Sequence, residues 1–68
     1  MKLRTLHDVL VATKIELIAN NYENIIVDYT APLQVNGVDR MLGLLDIKVK
    51  SLYYANDRAC IRLDIDNF

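Results

Sequence analysis

The sequence predicts a small α+β domain in the order helix, hairpin, helix, hairpin, with about four mainly antiparallel strands and two short helices. Three observations predict it. Two stretches alternate apolar and polar residues with a period of two on both sides of a short Asn-bearing turn. Between them runs an apolar stripe at helical spacing. The chain has 68 residues, enough for one domain spanning residues 1–68.

The stretch TLHDVLVA predicts the first helix. Thr5 stands at the cap position, and Asp8 takes the reciprocal place three residues on, where it also suits the positive end of the helix dipole. Leu3, Leu6, Val9 and Leu10 fall on one face. KIELIANNYENIIVDYT then predicts two strands and a turn. Ile15, Leu17 and Ala19 alternate with Glu16, Ile18 and Asn20. Beyond NNYEN, whose asparagines tolerate left-handed backbone angles, Ile25, Val27 and Tyr29 alternate with Ile26, Asp28 and Thr30. Pro32 ends this strand or marks it as an edge.

In VNGVDRMLGLLD, Asn36 is the expected N-cap, with Asp39 three residues later. Val38, Met41, Leu42 and Leu45 stand at i, i+3, i+4 and i+7. Gly43 inside that stripe costs about 1 kcal/mol relative to alanine, which is bearable where a helix packs closely on a sheet. In the last stretch Ile47, Val49, Ser51 and Tyr53 alternate with Lys48, Lys50, Leu52 and Tyr54. Asn56 and Asp57 supply the turn. Ala59, Ile61, Leu63 and Ile65 then point one way, and Cys60, Arg62, Asp64 and Asp66 the other.

Composition narrows the function. Eight Lys and Arg face nine Asp and Glu, so the net charge is −1. Duplex nucleic acid is normally met by a basic face, and only Lys48 with Lys50 comes near one. A nucleic-acid-associated accessory protein using Lys48, Lys50, Arg58 and Arg62 is the alternative reading, and nucleic-acid binding is disfavoured. Cys60 is the single cysteine and His7 the single histidine. That rules out an internal disulfide, falls short of a structural zinc site, and suits a reducing compartment. The longest wholly apolar runs, such as Val9–Ala12, are four residues, far below the ~20 that a membrane helix needs. His7, Asp8 and Lys14 would interrupt the apolar stretch of a signal peptide. The expectation is a cytoplasmic protein without cofactor or membrane.

No catalytic constellation is readable. Asp64 and Asp66 could hold a magnesium ion with water completing the shell, but an alternating strand puts charges on its wet side anyway. His7 has no nucleophile beside it. Cys60 lacks a sign of thiolate activation, and GVDRMLG lacks the Lys-Ser/Thr of a phosphate loop. The expectation is a protein without enzymatic activity.

One feature is unusual. If both helices cover the sheet face carrying Ile15, Leu17, Ile25, Val27, Ile61 and Leu63, strand parity puts Ile18, Ile26, Leu52, Tyr54 and Cys60 on the other. Tyr22 stands beside them in the first turn. A monomer rarely leaves such an apolar patch in water, and tyrosine is favoured where proteins meet. Ile18, Tyr22, Ile26, Leu52 and Tyr54 are therefore the expected protein interface, on this face or an edge strand next to it, for a homodimer or for a separate partner protein. One helix on each face, or a register shift of one residue, would remove it.

The hairpin IKVKSLYYANDRACIRLDI resembles the C-terminal half of small uncharacterised proteins carried by phages and prophages of low-GC Gram-positive bacteria. Val49, Ser51, Leu52 and Tyr53 fit its first element, and Ile61, Leu63 and Ile65 its second. No catalytic residues come with that family. The resemblance implies a phage protein that occupies a surface on a host protein, as anti-CRISPR and other anti-defence inhibitors do. Inhibitors that mimic nucleic acid are strongly acidic. At net −1, blocking of a protein site or forced dimerisation is the expected mode.

Overall fold

The computed structural model describes residues 1–9, 14–29 and 35–68, leaving aside the side chains of residues 35 and 36. The elements are α1 (Leu3–His7), β1 (Lys14–Ile18), β2 (Asn24–Asp28), α2 (Val35–Leu42), β3 (Val49–Ala55) and β4 (Arg58–Leu63). Leu10, Thr30 and Pro32, and any continuation of the first helix towards Ala12, lie outside the described residues.

The strands form one mixed sheet of order β2-β1-β4-β3. β1 pairs antiparallel with β2, and β3 with β4, while the central β1 and β4 run parallel. The parallel pair is the addition to the antiparallel pairing expected from local turns. It makes β1 and β4 the two central strands, with Ile15 opposite Ala59 and Leu17 opposite Ile61. Ile15, Leu17, Val27, Ile61 and Leu63 are sealed on one face, together with Leu3 from α1 and Met41 from α2. Each such side chain contributes about 1.5–3 kcal/mol by leaving water.

α1 begins earlier than its expected cap. Lys2 is the N-cap, without a side-chain bond, and Thr5 lies inside the helix. The first backbone donors of the helix are satisfied by distant carbonyls. Leu3 N–H donates to the Ile47 carbonyl at 3.0 Å and Arg4 N–H to that of Leu45 at 2.8 Å. A backbone segment distant in sequence does the work of a capping side chain. Asp8 consequently stands at the C-terminal end of α1, where its carboxylate meets His7 Nδ1 at 3.2 Å.

α2 ends at Leu42, sooner than the apolar stripe. Asn36 falls within the helix, not at its cap. Met41 is buried and accepts the Tyr29 hydroxyl at 3.3 Å through its sulfur. Val38 packs on the core, while Leu42 is exposed. Leu44 and Leu45 reach the core from the turns that follow. Gly43 lies in those turns, with ordinary space around it. The glycine that lets α2 approach the sheet is Gly37. A Cβ there would lie 2.5 Å from the Ile26 carbonyl oxygen and 3.4 Å from the Val27 Cα.

The first turn also differs in detail. Tyr22, not an asparagine, takes the left-handed conformation, with φ 68°. Asn21 holds the turn by accepting the Glu23 N–H at 2.9 Å. In the second turn Asn56 and Asp57 adopt φ of 54° and 61°, as a two-residue turn between twisted strands requires.

Candidate protein interface

Both helices pack on the face of Ile15, Leu17, Val27 and Ile61, and no described element covers the opposite face. Cross-strand pairing defines the residues of that open face. One row runs Ile26, Glu16, Cys60, Tyr53, taking one residue from each strand. The next runs Asn24, Ile18, Arg62, Ser51.

Leu52 and Tyr54, two expected interface residues on a strand, are absent from these rows. Strand β3 carries an irregularity between Val49 and Ser51, where Lys50 has no partner on β4. Such a bulge inserts one residue and inverts the parity beyond it. Leu52 therefore stands opposite Ile61, and Tyr54 opposite Ala59, on the helix-bearing face. Tyr53 takes the open-face position opposite Cys60. Ile18, Ile26 and Tyr22 keep their expected side. The predicted set thus divides between two faces, and Tyr53 is the residue that parity counting missed. No glycine or proline near Lys50 signals the bulge.

None of the five is sealed. Ile26 is 43% exposed, Tyr22 76%, Leu52 48% and Tyr54 71%, and Ile18 is half-buried. Leu52 and Tyr54 remain accessible although they share the helix face, because they lie on the edge strand, where neither helix packs closely.

Long side chains lie flat across the open face. Arg58 pairs with Glu16 at 3.3 Å, both largely shielded. The Arg62 guanidinium lies 5.2 Å from the centre of the Tyr22 ring, within cation–π range. Among the described residues the Nε atoms of Arg58 and Arg62 are shielded and have no hydrogen-bond partner. Beneath this layer Cys60 is buried. Desolvation pushes the Tyr53 phenol above its ordinary value. Cys60 and Glu16 add to the rise, and Arg62 opposes it. The face sets Ile18, Ile26, Tyr22 and Tyr53 among charged and polar side chains, with Glu16, Arg58 and Arg62 between them.

The other candidates stay apart. Asp64 and Asp66 are exposed past the end of β4. Among the described residues no three His, Cys, Asp or Glu side chains come together as metal ligands. His7 stands edge-on to Tyr29, with ring centres 6.3 Å apart. Of the basic residues Lys48, Lys50, Arg58 and Arg62, three have partners within the chain. Lys50 reaches Asn20 at 3.2 Å, and both arginines are engaged as described. Among the described residues no helix is long and apolar enough to cross a membrane.

No family model, no curated protein and no solved structure matches this chain.

Proposed function

We propose that the chain is a small non-enzymatic protein-binding module that docks on another protein through the open face of its sheet. The observation that carries this reading is the uncovered strip of Ile18, Ile26, Tyr22 and Tyr53 around Arg58 and Arg62. Exposed aromatic and aliphatic side chains beside arginine are what the centre of a protein interface uses. Arg62 is already held against Tyr22 and Arg58 against Glu16, so binding immobilises less side-chain freedom. A nearly neutral partner surface with a carboxylate or carbonyl for each shielded guanidinium suits the face. The finer reading is a phage-encoded inhibitor of a host defence protein, such as an anti-CRISPR, that blocks a protein site. It rests on the resemblance of the second hairpin and on the near-neutral charge.

Paired affinity capture from a host extract tests the docking face. Wild type and Ile26→Asp are immobilised side by side, with Leu42→Asp as the control at an exposed leucine on α2. A partner retained by wild type and by the control, and lost with Ile26→Asp, supports the reading. Identical capture by all three refutes it.

A further inference from the structure

We propose that the edge of β3 pairs with the β3 edge of a second copy of this chain, joining two sheets about a two-fold axis at Tyr53. The inference concerns the edge of the sheet, which meets the docking face at Tyr53.

β3 is a sheet edge, bonded on one side to β4. Its first residues are already covered. Val49 N–H donates to the Met1 carbonyl at 2.7 Å, and Lys2 bridges Lys48 antiparallel. The bulge at Lys50 then interrupts the strand. At the other end the chain turns away at Asn56 and Asp57. Between these limits lies Ser51–Ala55, without a single charge. Uncharged, exposed edge strands are the places where chains pair, and natural proteins usually blunt them.

The backbone of this stretch is poised for a partner. Ala55 and Arg58 close a two-residue turn, so they form a hydrogen-bonded pair, and pairs alternate from there. Tyr53 and Cys60 are then bonded, while Leu52 and Tyr54 turn their N–H and C=O groups outward. Tyr53 is the midpoint of Ser51–Ala55. In an antiparallel pair centred on it, Leu52 N–H donates to the carbonyl of the second copy's Tyr54, whose N–H donates back to Leu52. The two-fold axis repeats both bonds.

The side chains agree with this register. On the helix face each Leu52 lies against the second copy's Tyr54, and these are the two large exposed side chains there, at 48% and 71%. On the open face Tyr53 meets Tyr53 in a pair without mutual backbone bonds, the closer of the two geometries. Small residues, Ser51 and Ala55, meet at both ends. One residue further on, Lys50 faces the second copy's Asn56–Asp57 turn, a cation toward a carboxylate. Lys50 keeps donors free for it, since an ammonium carries three N–H groups and one reaches Asn20. The segment is self-complementary in size, polarity and charge, and a second copy is the occupant it fits. The opposite edge strand, β2, is crowded by α2 at Ile26.

Sedimentation equilibrium over about 1 µM to 1 mM, a span that brackets weak to moderate association, reads the assembly. Amide exchange reads its register. The expected result is a monomer–dimer equilibrium in which Leu52 and Tyr54 amides gain protection as the dimer fills, while Tyr53 and Ala55 are protected at every concentration. Tyr54→Lys, at an exposed position, raises the dissociation constant about tenfold or more by setting a charge against each Leu52. Its circular dichroism stays that of wild type. A monomer throughout, or a dimer whose exchange protection falls elsewhere, overturns the proposal. Ile26→Asp leaves the dimer intact, so loss of partner capture and loss of dimerisation are separate outcomes.

Discussion

Replacing Gly37 by alanine sets two effects against each other. In a helix, alanine is favoured over glycine by about 1 kcal/mol, because glycine loses more backbone freedom on folding. At Gly37 that gain meets an obstacle. The new Cβ would lie 2.5 Å from the Ile26 carbonyl oxygen, roughly 1 Å inside ordinary carbon–oxygen contact. The obstructing atom is sheet backbone and cannot swing aside. Helix α2 must lift from β2 or tilt, and Met41, wholly buried on that helix, must move with it. Overpacking of this kind costs about 1–3 kcal/mol. The net expectation for Gly37→Ala is a destabilisation of up to about 2 kcal/mol. For a domain of this size each kcal/mol lowers the melting temperature by about 4–8 °C. Gly43 provides the opposite sign. Its added Cβ would meet the Arg40 carbonyl oxygen at an ordinary 3.5 Å, and no glycine here has positive φ. Gly43→Ala should stabilise by about 0.4–1 kcal/mol, through the unfolded chain's lost freedom. Urea unfolding at a concentration where the wild type is a monomer measures both. A Gly37→Ala midpoint equal to or above wild type would refute the packing argument. Destabilisation by Gly43→Ala would refute the contrast.

Glu16→Gln removes the charge facing Arg58 on a largely shielded part of the sheet, and costs about 1–2 kcal/mol in urea unfolding. Adding Arg58→Met recovers part of that loss, and a double-mutant cycle measures the coupling. The Arg4 guanidinium hydrogen-bonds Asp46 at 3.2 Å and holds its carboxyl below the usual aspartate value. Protons therefore bind Asp46 more readily in the unfolded chain. The contribution is complete above the unfolded aspartate value and fades as pH falls through the folded one. NMR titration of Asp46 should show the depressed midpoint, and Arg4→Met should raise it. Burial raises the Tyr29 phenol, so the unfolded chain ionises first, and stability falls as pH rises beyond the ordinary tyrosine range. Tyr29→Phe should flatten that alkaline decline in a series of melts. Cys60 is buried beneath the open face. An aromatic disulfide reagent should modify it slowly in the native protein and rapidly in denaturant, and fast native labelling would contradict the burial.

Some elements were legible before any coordinates. Ile15 and Leu17 on β1, with Ala19 just beyond its end, and Ala59, Ile61 and Leu63 on β4, alternate because a half-buried strand must, and all six are buried. The Asn56–Asp57 turn was readable because few residues other than glycine tolerate positive φ at adjacent positions. The exposure of Tyr22, Ile26, Leu52 and Tyr54 was expected from an excess of apolar residues over one sheet face. Their arrangement was not readable. Counting by twos through Lys50 assigns Leu52 and Tyr54 to the wrong side, because the bulge exists only relative to β4.

Local sequence determined the strand periods, the second turn and the presence of more apolar side chains than one covered face can hold. Each of these depends on a residue and its near neighbours along the chain. The tertiary structure alone decided that β1 runs parallel to β4. It also decided that the Ile47 and Leu45 carbonyls cap α1 in place of Thr5, that Gly37 and not Gly43 meets the sheet, and that Tyr53 faces Cys60. Each of these involves groups far apart in sequence, and backbone donors and acceptors carry no residue identity by which such partners could be matched beforehand.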